Sequence, residues 1–386
     1  MSSLSQPGTA PAASGAPRSR LKQSFLAAWP ALAAYVAARA VGVGAFLAVA
    51  RMAGRDGWQI LGHRTDAGFY LRIAVEGYAG AEPLDKNDMA FFPLFPMLVR
   101  GAHAVVPLPV DTVAVLVSWL AALAAAWGVF AIGAHLHDRR TGVLLALLWG
   151  LLPHAIVESM AYTEAIFTAF VAWALYALLR ERWVAAGVLT LLAGLTRPTA
   201  LALIPVVGLA ALLAVVRGRG RAWRPWAALV LAPLGWLGYV LWVAQRTGRL
   251  DGYFHLQDAG WGSRFDGGRY TATTMAKLLT ENSSLNTYLV SLVLVVAVAL
   301  FALTILDRQP WQLLLFSGLI LLITLTGAGY FNAKARFLLP AFALLLPVAT
   351  ALARTRPARM AVVVATLAAV STYCGVYLLL IWKYSP

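Results

Sequence analysis

The sequence predicts an all-α, polytopic membrane protein, and three observations support this fold class. Of the 386 residues, 61% are hydrophobic and only 12% are charged. Apolar runs long enough to cross about 30 Å of hydrocarbon recur along almost the whole chain. Arg and Lys lie mainly in short loops between these runs, as the positive-inside rule expects.

The chain divides into a short tail and one transmembrane domain. Residues 1–22 are predicted to be a disordered cytoplasmic tail, because this stretch is rich in Ser, Pro, Ala and Gly and has no apolar periodicity. Residues 23–386 form the domain, with two large outer loops at 51–109 and 247–285. About eleven spans are predicted, at about 24–50, 110–134, 141–157, 163–180, 183–196, 198–216, 225–246, 286–306, 311–328, 336–353 and 359–382.

Loop charges predict the orientation of the domain in the cell membrane. Three basic residues precede the first span, which places the N-terminus in the cytoplasm. Of the 16 Asp and Glu residues, only Asp138, Glu181 and Asp307 then lie on the inner side. The outer face is therefore predicted to carry the chemistry. Basic inner loops also account for the net charge of +15, so nucleic-acid binding is not expected.

The first outer loop contains HRTDAGFYLRIAVEGY and, further on, AFFPLFP, within residues 63–96. Helices too short or too polar to span are predicted at 66–78 and 94–106, lying along the outer surface. Asp66 is the main catalytic candidate, because a carboxylate held just above the membrane suits a general base that acts on a lipid-borne substrate. The alternative is that Thr65 and Asp66 only cap the helix.

Other residues near the predicted outer face are candidate substrate contacts. Aromatic side chains of the first loop are expected at headgroup depth, where they can anchor the protein or line a lipid groove. The polar residues that follow the predicted span 141–157 are either part of a site or an ordinary loop. We predict substrate contacts from Tyr70, Phe92, Glu158, Tyr162 and Glu164.

The second outer loop includes DGYFHLQDAGWGSRFDGGRY, residues 251–270. It mixes aromatic side chains with carboxylates, amides and glycines. Such a mixture suits sugar binding, because sugars present apolar ring faces and hydroxyl edges. The alternative is an ordinary surface loop. The candidates are His255, Gln257, Trp261 and Asp266.

Three cations lie at predicted outer ends of spans, namely Arg197, Lys334 and Arg336. They can bind the phosphate of a polyprenyl phosphate or only anchor helices among headgroups. Metal ligation is poorly supported, because Asp85 and Asp88 are loosely spaced and have no His partner. No metal site is therefore predicted, and the metal requirement stays open.

The chain resembles the PIG-V type of GT-C glycosyltransferases, whose eukaryotic members add the second mannose during assembly of the GPI anchor. The resemblance rests on TDAGFYLRIAVEGY, AFFPLFP, ESMAYTEAIF, LTRP and KARFLLP, which occur in the family's order between about residues 65 and 340. Thr65 stands where an aromatic residue often precedes the acid. Arg197-Pro198-Thr199 stands where eukaryotic members have Arg-Ser-Asn-Gly. These departures leave the acceptor and the sugar open.

The resemblance implies a GT-C-like fold and inverting transfer of mannose from a polyprenyl phosphate on the outer face of the plasma membrane. Asp66 matches the acid of the family's first outer loop, which is the expected general base. Lys334, Arg336 and Arg197 are assigned to the donor phosphate. The expected partners are a lipid-linked sugar donor, a glycolipid acceptor and membrane lipids, with no separate cofactor.

Other functions also fit the sequence. The same fold can transfer arabinofuranose or glucose, or use a protein as the acceptor. A lipid or solute transporter would need ionisable residues deep in its spans, where the sequence clearly places only Arg39. A membrane scaffold would tolerate changes at Asp66, Arg197 and Arg336.

Overall fold

The computed structural model describes residues 17–80, 82–218 and 223–386. This part of the chain is mainly helical; it contains no strand and one isolated antiparallel bridge, between Phe265 and Gly327. The predicted all-α class is confirmed. Residues 1–16 of the predicted tail lie outside the described residues, and the first helix already begins at Pro17.

Seventeen α-helices, joined by loops and 3-10 turns, make up the described part of the chain. The first eight are α1 (Pro17–Met52), α2 (Gly57–His63), α3 (Asp66–Glu76), α4 (Leu94–His103), α5 (Val110–Leu136), α6 (Arg139–Gly150), α7 (Glu164–Leu179) and α8 (Trp183–Gly194). The others are α9 (Leu203–Val216), α10 (Trp223–Thr247), α11 (Gly252–Trp261), α12 (Arg269–Lys277), α13 (Leu285–Leu306), α14 (Trp311–Thr326), α15 (Lys334–Phe337), α16 (Leu346–Ala353) and α17 (Pro357–Leu380).

The structure does not confirm the predicted number of spans. Among the described residues, six helical segments are long and apolar enough to cross a membrane: Gln23–Met52, Val110–Leu136, Pro198–Val216, Trp223–Thr247, Leu285–Leu306 and Pro357–Leu380. Phe331–Phe337 and Phe342–Ala353 form a seventh only if these two pieces, bent by 73° relative to each other, are one span. Pro340 lies at this break and cannot donate a helical hydrogen bond. The helices α6, α7, α8 and α14 are shorter, because turns interrupt apolar runs that hydropathy alone reads as continuous.

Glycines let the central helices approach closely. A Cβ atom added at Gly235 of α10 would lie 2.0 Å from the carbonyl oxygen of Leu191 in α8. A Cβ atom added at Gly142 of α6 would lie 2.6 Å from the carbonyl oxygen of Phe130 in α5. Small residues at helix crossings are typical of membrane bundles, which gain stability from close packing.

Two hydrogen bonds from arginine side chains to backbone carbonyl oxygens mark the two ends of the bundle. At one end, Arg139 donates to the carbonyl oxygen of Ala27, near the start of α1, at 3.2 Å. At the other end, Arg55 donates to the carbonyl oxygen of Leu380, at the end of α17, at 2.8 Å. The short helices α2, α3 and α4 follow α1 at this second end, and α3 and α4 match the two helices predicted in the first outer loop. Which end faces the cell exterior stays a prediction.

Candidate active site

An ion pair holds Asp66 at the start of α3. Its Oδ2 accepts a hydrogen bond from Arg336 Nη2 at 2.6 Å. The side chain of Arg336 is 7% exposed and that of Asp66 is 21% exposed, so the carboxylate lies at the edge of the buried region. Thr65 has φ 50° and ψ −112°, a conformation that a β-branched residue rarely adopts, and its side chain does not cap the helix. The predicted capping role of Thr65 is therefore wrong.

Glu164 connects Arg336 to a second arginine. Its Oε1 lies 2.6 Å from Arg197 Nη1 and 3.6 Å from Arg336 Nε. Arg197 Nη1 also donates to Thr163 Oγ1 at 2.9 Å. Glu164 is 2% exposed and Arg197 is 11% exposed, so little water screens these charges. Two acids and two arginines thus alternate in one buried network, which we call the charge cluster (Asp66, Arg336, Glu164 and Arg197).

Tyr162 packs against the charge cluster. The guanidinium carbon of Arg336 lies 5.2 Å from the centre of its ring. Its hydroxyl contacts Thr65 Oγ1, accepts from the Asp66 backbone N–H at 3.4 Å and lies 3.4 Å from Ser385 Oγ. Burial raises the pKa of the Tyr162 phenol to about 12, so the hydroxyl stays protonated near neutral pH. Tyr162 therefore holds the backbone of Asp66 in place.

The aromatic candidates of the first outer loop are buried rather than at a lipid surface. The hydroxyl of Tyr70 lies 3.1 Å from Thr163 Oγ1, next to the charge cluster. Phe92 is 1% exposed and packs on Tyr239 and Tyr253, with ring centres 4.5 and 5.4 Å away. The side chains of α10 and α11 cover Phe92, so it does not face lipid, and its depth in the membrane stays a prediction.

Two further candidates lie apart from the charge cluster. The Nζ of Lys334 donates to the carbonyl oxygens of Thr324 and Gly327, the latter at 2.7 Å, at the C-terminal end of α14. Glu158 is fully buried, and its Oε2 accepts from Tyr35 at 2.8 Å. These contacts give both residues structural partners, and their predicted substrate roles remain untested.

The second outer loop contributes to two different places. Trp261, at the end of α11, packs near α3, with its ring centre 5.8 Å from that of Phe69. Gln257 donates to the carbonyl oxygen of Ala90 at 2.9 Å and so holds α11 against the AFFPLFP segment. Asp266 accepts from the backbone N–H of Gly268 at 2.9 Å and belongs to a turn before α12. His255 is half-buried on α11, and none of the described contacts links it to Asp66.

Some partners in this region were not predicted. Arg72 forms a bidentate ion pair with the buried Asp88, with Nε at 3.1 and 3.2 Å from its two oxygens. Ser385, beside Tyr162, is separated from it by 223 residues, so no local signal points to this contact. In the described part of the chain, no three His, Cys, Asp or Glu side chains are grouped so that they could hold a metal ion.

Comparisons with known proteins bear on the fold. No family model matches the sequence, and no curated protein matches it. The crystal structure of ArnT from Cupriavidus metallidurans in the apo state is similar with a TM-score of 0.51 and 16% identity, over 84% of this chain and 62% of the ArnT chain. The Archaeoglobus fulgidus oligosaccharyltransferase, tethered with an acceptor peptide containing the NVT sequon, gives a TM-score of 0.48 and 13% identity, over 94% of this chain and 56% of that chain.

Both solved structures share few identical residues with this chain. This chain spans less than two thirds of the length of either one. The second similarity is too weak to carry an argument, and the first has too low an identity to transfer an activity. The similarity to ArnT therefore shows one thing, that this chain shares the multi-helical fold of the ArnT structure.

Proposed function

We propose that the protein is a membrane glycosyltransferase that moves a sugar from a polyprenyl phosphate to a lipid-borne acceptor, with Asp66 as general base. One observation carries this proposal: on a fold similar to that of ArnT, a partly exposed carboxylate lies at the edge of a buried charge cluster. The other features of the chain fit this chemistry. They include the apolar surroundings and the arginines next to the carboxylate.

The two oxygens of Asp66 have different surroundings. Oδ2 is held by Arg336, whereas Oδ1 makes no hydrogen bond within the described part of the chain. A general base must present a free oxygen to the hydroxyl whose proton it takes. Oδ1 is therefore the atom that receives the proton, and Arg336 keeps the carboxylate oriented toward the acceptor.

The proposed reaction is a single inverting displacement. The acceptor hydroxyl oxygen attacks the anomeric carbon of the donor sugar as its proton passes to Oδ1 of Asp66. The new carbon–oxygen bond forms while the bond from the anomeric carbon to the phosphate oxygen breaks. The electron pair of that bond stays with the polyprenyl phosphate, which leaves as an anion.

Arginines near Asp66 can stabilise the leaving phosphate. Arg336 Nη1 is buried and has no hydrogen-bond partner among the described residues. A charge-assisted hydrogen bond from this atom to a phosphate oxygen would satisfy it. Arg197, linked to Arg336 through Glu164, supplies a second positive charge at this place. Arg336 thus supports two roles, holding the base and binding the donor phosphate.

The identity of the sugar rests on sequence resemblance alone. The PIG-V-like segments favour mannose. Glucose, arabinofuranose or a protein acceptor would also fit the same charge cluster. The lipid-linked donor follows from the predicted orientation, which places Asp66 outside the cytoplasm and away from nucleotide sugars. A transporter would move a sugar lipid without consuming it, so turnover separates the two classes.

The test is a transfer assay with the purified full chain. The protein is incubated with radiolabelled polyprenyl-phosphate mannose and with total membrane lipid from the source organism. We expect a labelled lipid product from the wild-type protein and none from Asp66→Asn. Donor that stays intact with every lipid extract, or equal product from both proteins, would contradict the proposal.

A further inference from the structure

A stripe of side chains leads away from Asp66 along α3. Asp66, Phe69, Arg72 and Glu76 follow one another at spacings of three, three and four, so they lie on one side of the helix. Arg72 packs over Phe69, with its guanidinium carbon 4.9 Å from the centre of the ring. At 1.5 Å per residue, Arg72 and Glu76 lie about 9 and about 15 Å along the helix from Asp66. The stripe is thus longer than one sugar ring.

Three aromatic rings stand next to Asp66 on this stripe. Phe69 stacks on Phe91, with ring centres 4.5 Å apart and an interplanar angle of 18°. The ring centre of Trp261 lies 5.8 Å from that of Phe69 and 5.4 Å from that of Phe91. All three rings are partly exposed, unlike the buried Phe92 and Phe95. We call Phe69, Phe91 and Trp261 the aromatic platform.

Beyond the aromatic platform lies a cavity of about 400 Å³. Its volume falls within the range of small-molecule sites, about 300 to 1,000 Å³. Amide, carboxylate, ammonium, guanidinium and phenol groups all line it. The hydrogens of Tyr78 and Asn87 already have backbone acceptors, whereas the exposed Glu76 and Lys86 side chains can accept from and donate to a hydroxyl group. The main lining side chains are those of Arg72, Glu76, Tyr78, Lys86, Asn87 and Asp88. We call it the α3 cavity.

The wall of the α3 cavity is fixed by the fold. Asn87 is 4% exposed, and its Nδ2 donates to the carbonyl oxygens of Gly80 and Pro83 at 2.9 and 3.0 Å. A Cβ atom added at Gly260 of α11 would lie 2.9 Å from the backbone nitrogen of Lys86, so α11 packs directly on this loop. The cavity is therefore preorganised, which lowers the entropic cost of binding.

The charges around the α3 cavity favour a neutral ligand. Arg72 and Lys86 are balanced by Glu76 and Asp88, so the lining has no net charge. Arg72 is already tied to Asp88 by its bidentate ion pair. A phosphate would need cationic N–H groups without a partner, such as Arg336 Nη1 in the charge cluster. A ligand rich in hydroxyl groups meets donors, acceptors and aromatic faces instead.

We propose that the aromatic platform and the α3 cavity form a binding site for the oligosaccharide part of the acceptor. This inference rests on the proposed function. The donor sugar must lie beside Asp66, where its anomeric carbon reacts, and a single sugar does not reach 9 to 15 Å further along α3. The acceptor hydroxyl also lies at Asp66, so the acceptor's remaining sugars extend over the platform into the cavity.

The first test compares acceptors that differ only in the number of sugars. The purified full chain receives the lipid-linked donor and octyl glycosides of mannose, glucose or galactose with one to three sugar units. For at least one series, we expect kcat/KM to rise about tenfold from one unit to three, because only the longer acceptors reach the α3 cavity. Equal kcat/KM for short and long acceptors in every series that is used overturns the inference and leaves the proposed function intact.

Two variants test which part of the protein causes the rise in kcat/KM with acceptor length. Trp261→Leu removes a ring of the aromatic platform, and Glu76→Ala removes a hydrogen-bond acceptor from an exposed position on α3. Both are expected to reduce the gain, the ratio of kcat/KM for three sugar units to kcat/KM for one unit, to within about twofold. Glu82→Ala is the matched control, because Glu82 is exposed in the same loop but does not line the cavity. An unchanged gain in both variants contradicts the proposed location.

A binding measurement separates this inference from the proposed function. Saturation-transfer NMR with free oligosaccharides of the same series needs neither donor nor turnover. We expect a signal from the wild-type protein that is reduced in Trp261→Leu and is not displaced by inorganic phosphate. The absence of a signal from every oligosaccharide overturns the inference, as does displacement by phosphate. A signal without any sugar transfer would support the binding site and contradict the proposed enzyme.

Discussion

Asp66 and Arg336 are 270 residues apart in the sequence, yet Arg336 Nη2 donates to Asp66 Oδ2 at 2.6 Å. The pair joins the start of α3 to the broken helical segment that contains α15. Arg336 also faces Glu164, so one guanidinium links three parts of the fold. The predictions below concern this pair, its surroundings and the packing that supports it.

Replacing Asp66 with Asn keeps the size of the side chain and removes its basicity. We expect kcat for sugar transfer to fall about 10²- to 10⁴-fold, the range for loss of a general base. The assay is product formation from labelled donor, with thermal unfolding in detergent as a check of folding. Asp258→Asn, at an exposed carboxylate, is the control and should retain activity. Near-wild-type turnover of Asp66→Asn would exclude Asp66 as the base.

Replacing Arg336 with Gln should cost stability as well as activity. The change leaves the buried Glu164 and Asp66 with less positive charge, and breaking a buried ion pair typically costs about 3 to 5 kcal/mol. Arg264→Gln is the matched control, because the Arg264–Asp258 pair is exposed and should contribute at most about 1 kcal/mol. Thermal unfolding of both variants measures the difference. Similar losses would show that burial does not strengthen the Arg336 pair.

Replacing Lys334 with Met tests whether this residue binds the donor phosphate. The change leaves the carbonyl oxygens of Thr324 and Gly327 without their donor, so we expect a loss of about 1 to 3 kcal/mol in unfolding free energy. The KM for the donor should stay within about twofold of the wild-type value, because the amine already has backbone partners. A raised donor KM at unchanged stability would assign Lys334 to the phosphate instead.

Two glycines of α10 test the packing of the bundle. Gly235→Ala places a Cβ atom 2.0 Å from the carbonyl oxygen of Leu191, so α8 and α10 must separate. We expect it to lower the unfolding free energy by about 1 to 3 kcal/mol or more. Gly238→Ala, three residues later, meets no atom within 4 Å and should be neutral or stabilising by up to about 1 kcal/mol. Thermal unfolding measures the stability of the two variants. Equal changes in stability would contradict the close crossing of α8 and α10.

Local sequence patterns predicted a good part of the site. The helices α3 and α4 were expected as surface helices too short or too polar to span, and Asp66 lies in the first turn of α3 as predicted. Tyr162 and Glu164 were expected near the outer end of a span and do lie beside Arg336. These features depend on neighbouring residues, so a single sequence is enough to indicate them.

Other features could not be predicted because they depend on contacts between distant segments. A spacing of four residues favours a pair between Arg72 and Glu76, but the loop brings Asp88 to Arg72 instead. Phe92 could have lined a lipid groove, but α10 and α11 cover it. Span boundaries were also uncertain, because hydropathy stays high through turns such as the one after Gly150.

The sequence by itself determined that this chain is an all-α membrane protein and that most of its acidic residues gather in a few loops. Hydropathy and charge decide these features, since each acts over one span or one loop. Only the tertiary structure decided which side chains meet. It paired Asp66 with Arg336, tied Lys334 to α14 and placed Trp261 beside Phe69. Such pairs form when helices far apart in the chain pack together, and their geometry depends on the whole bundle.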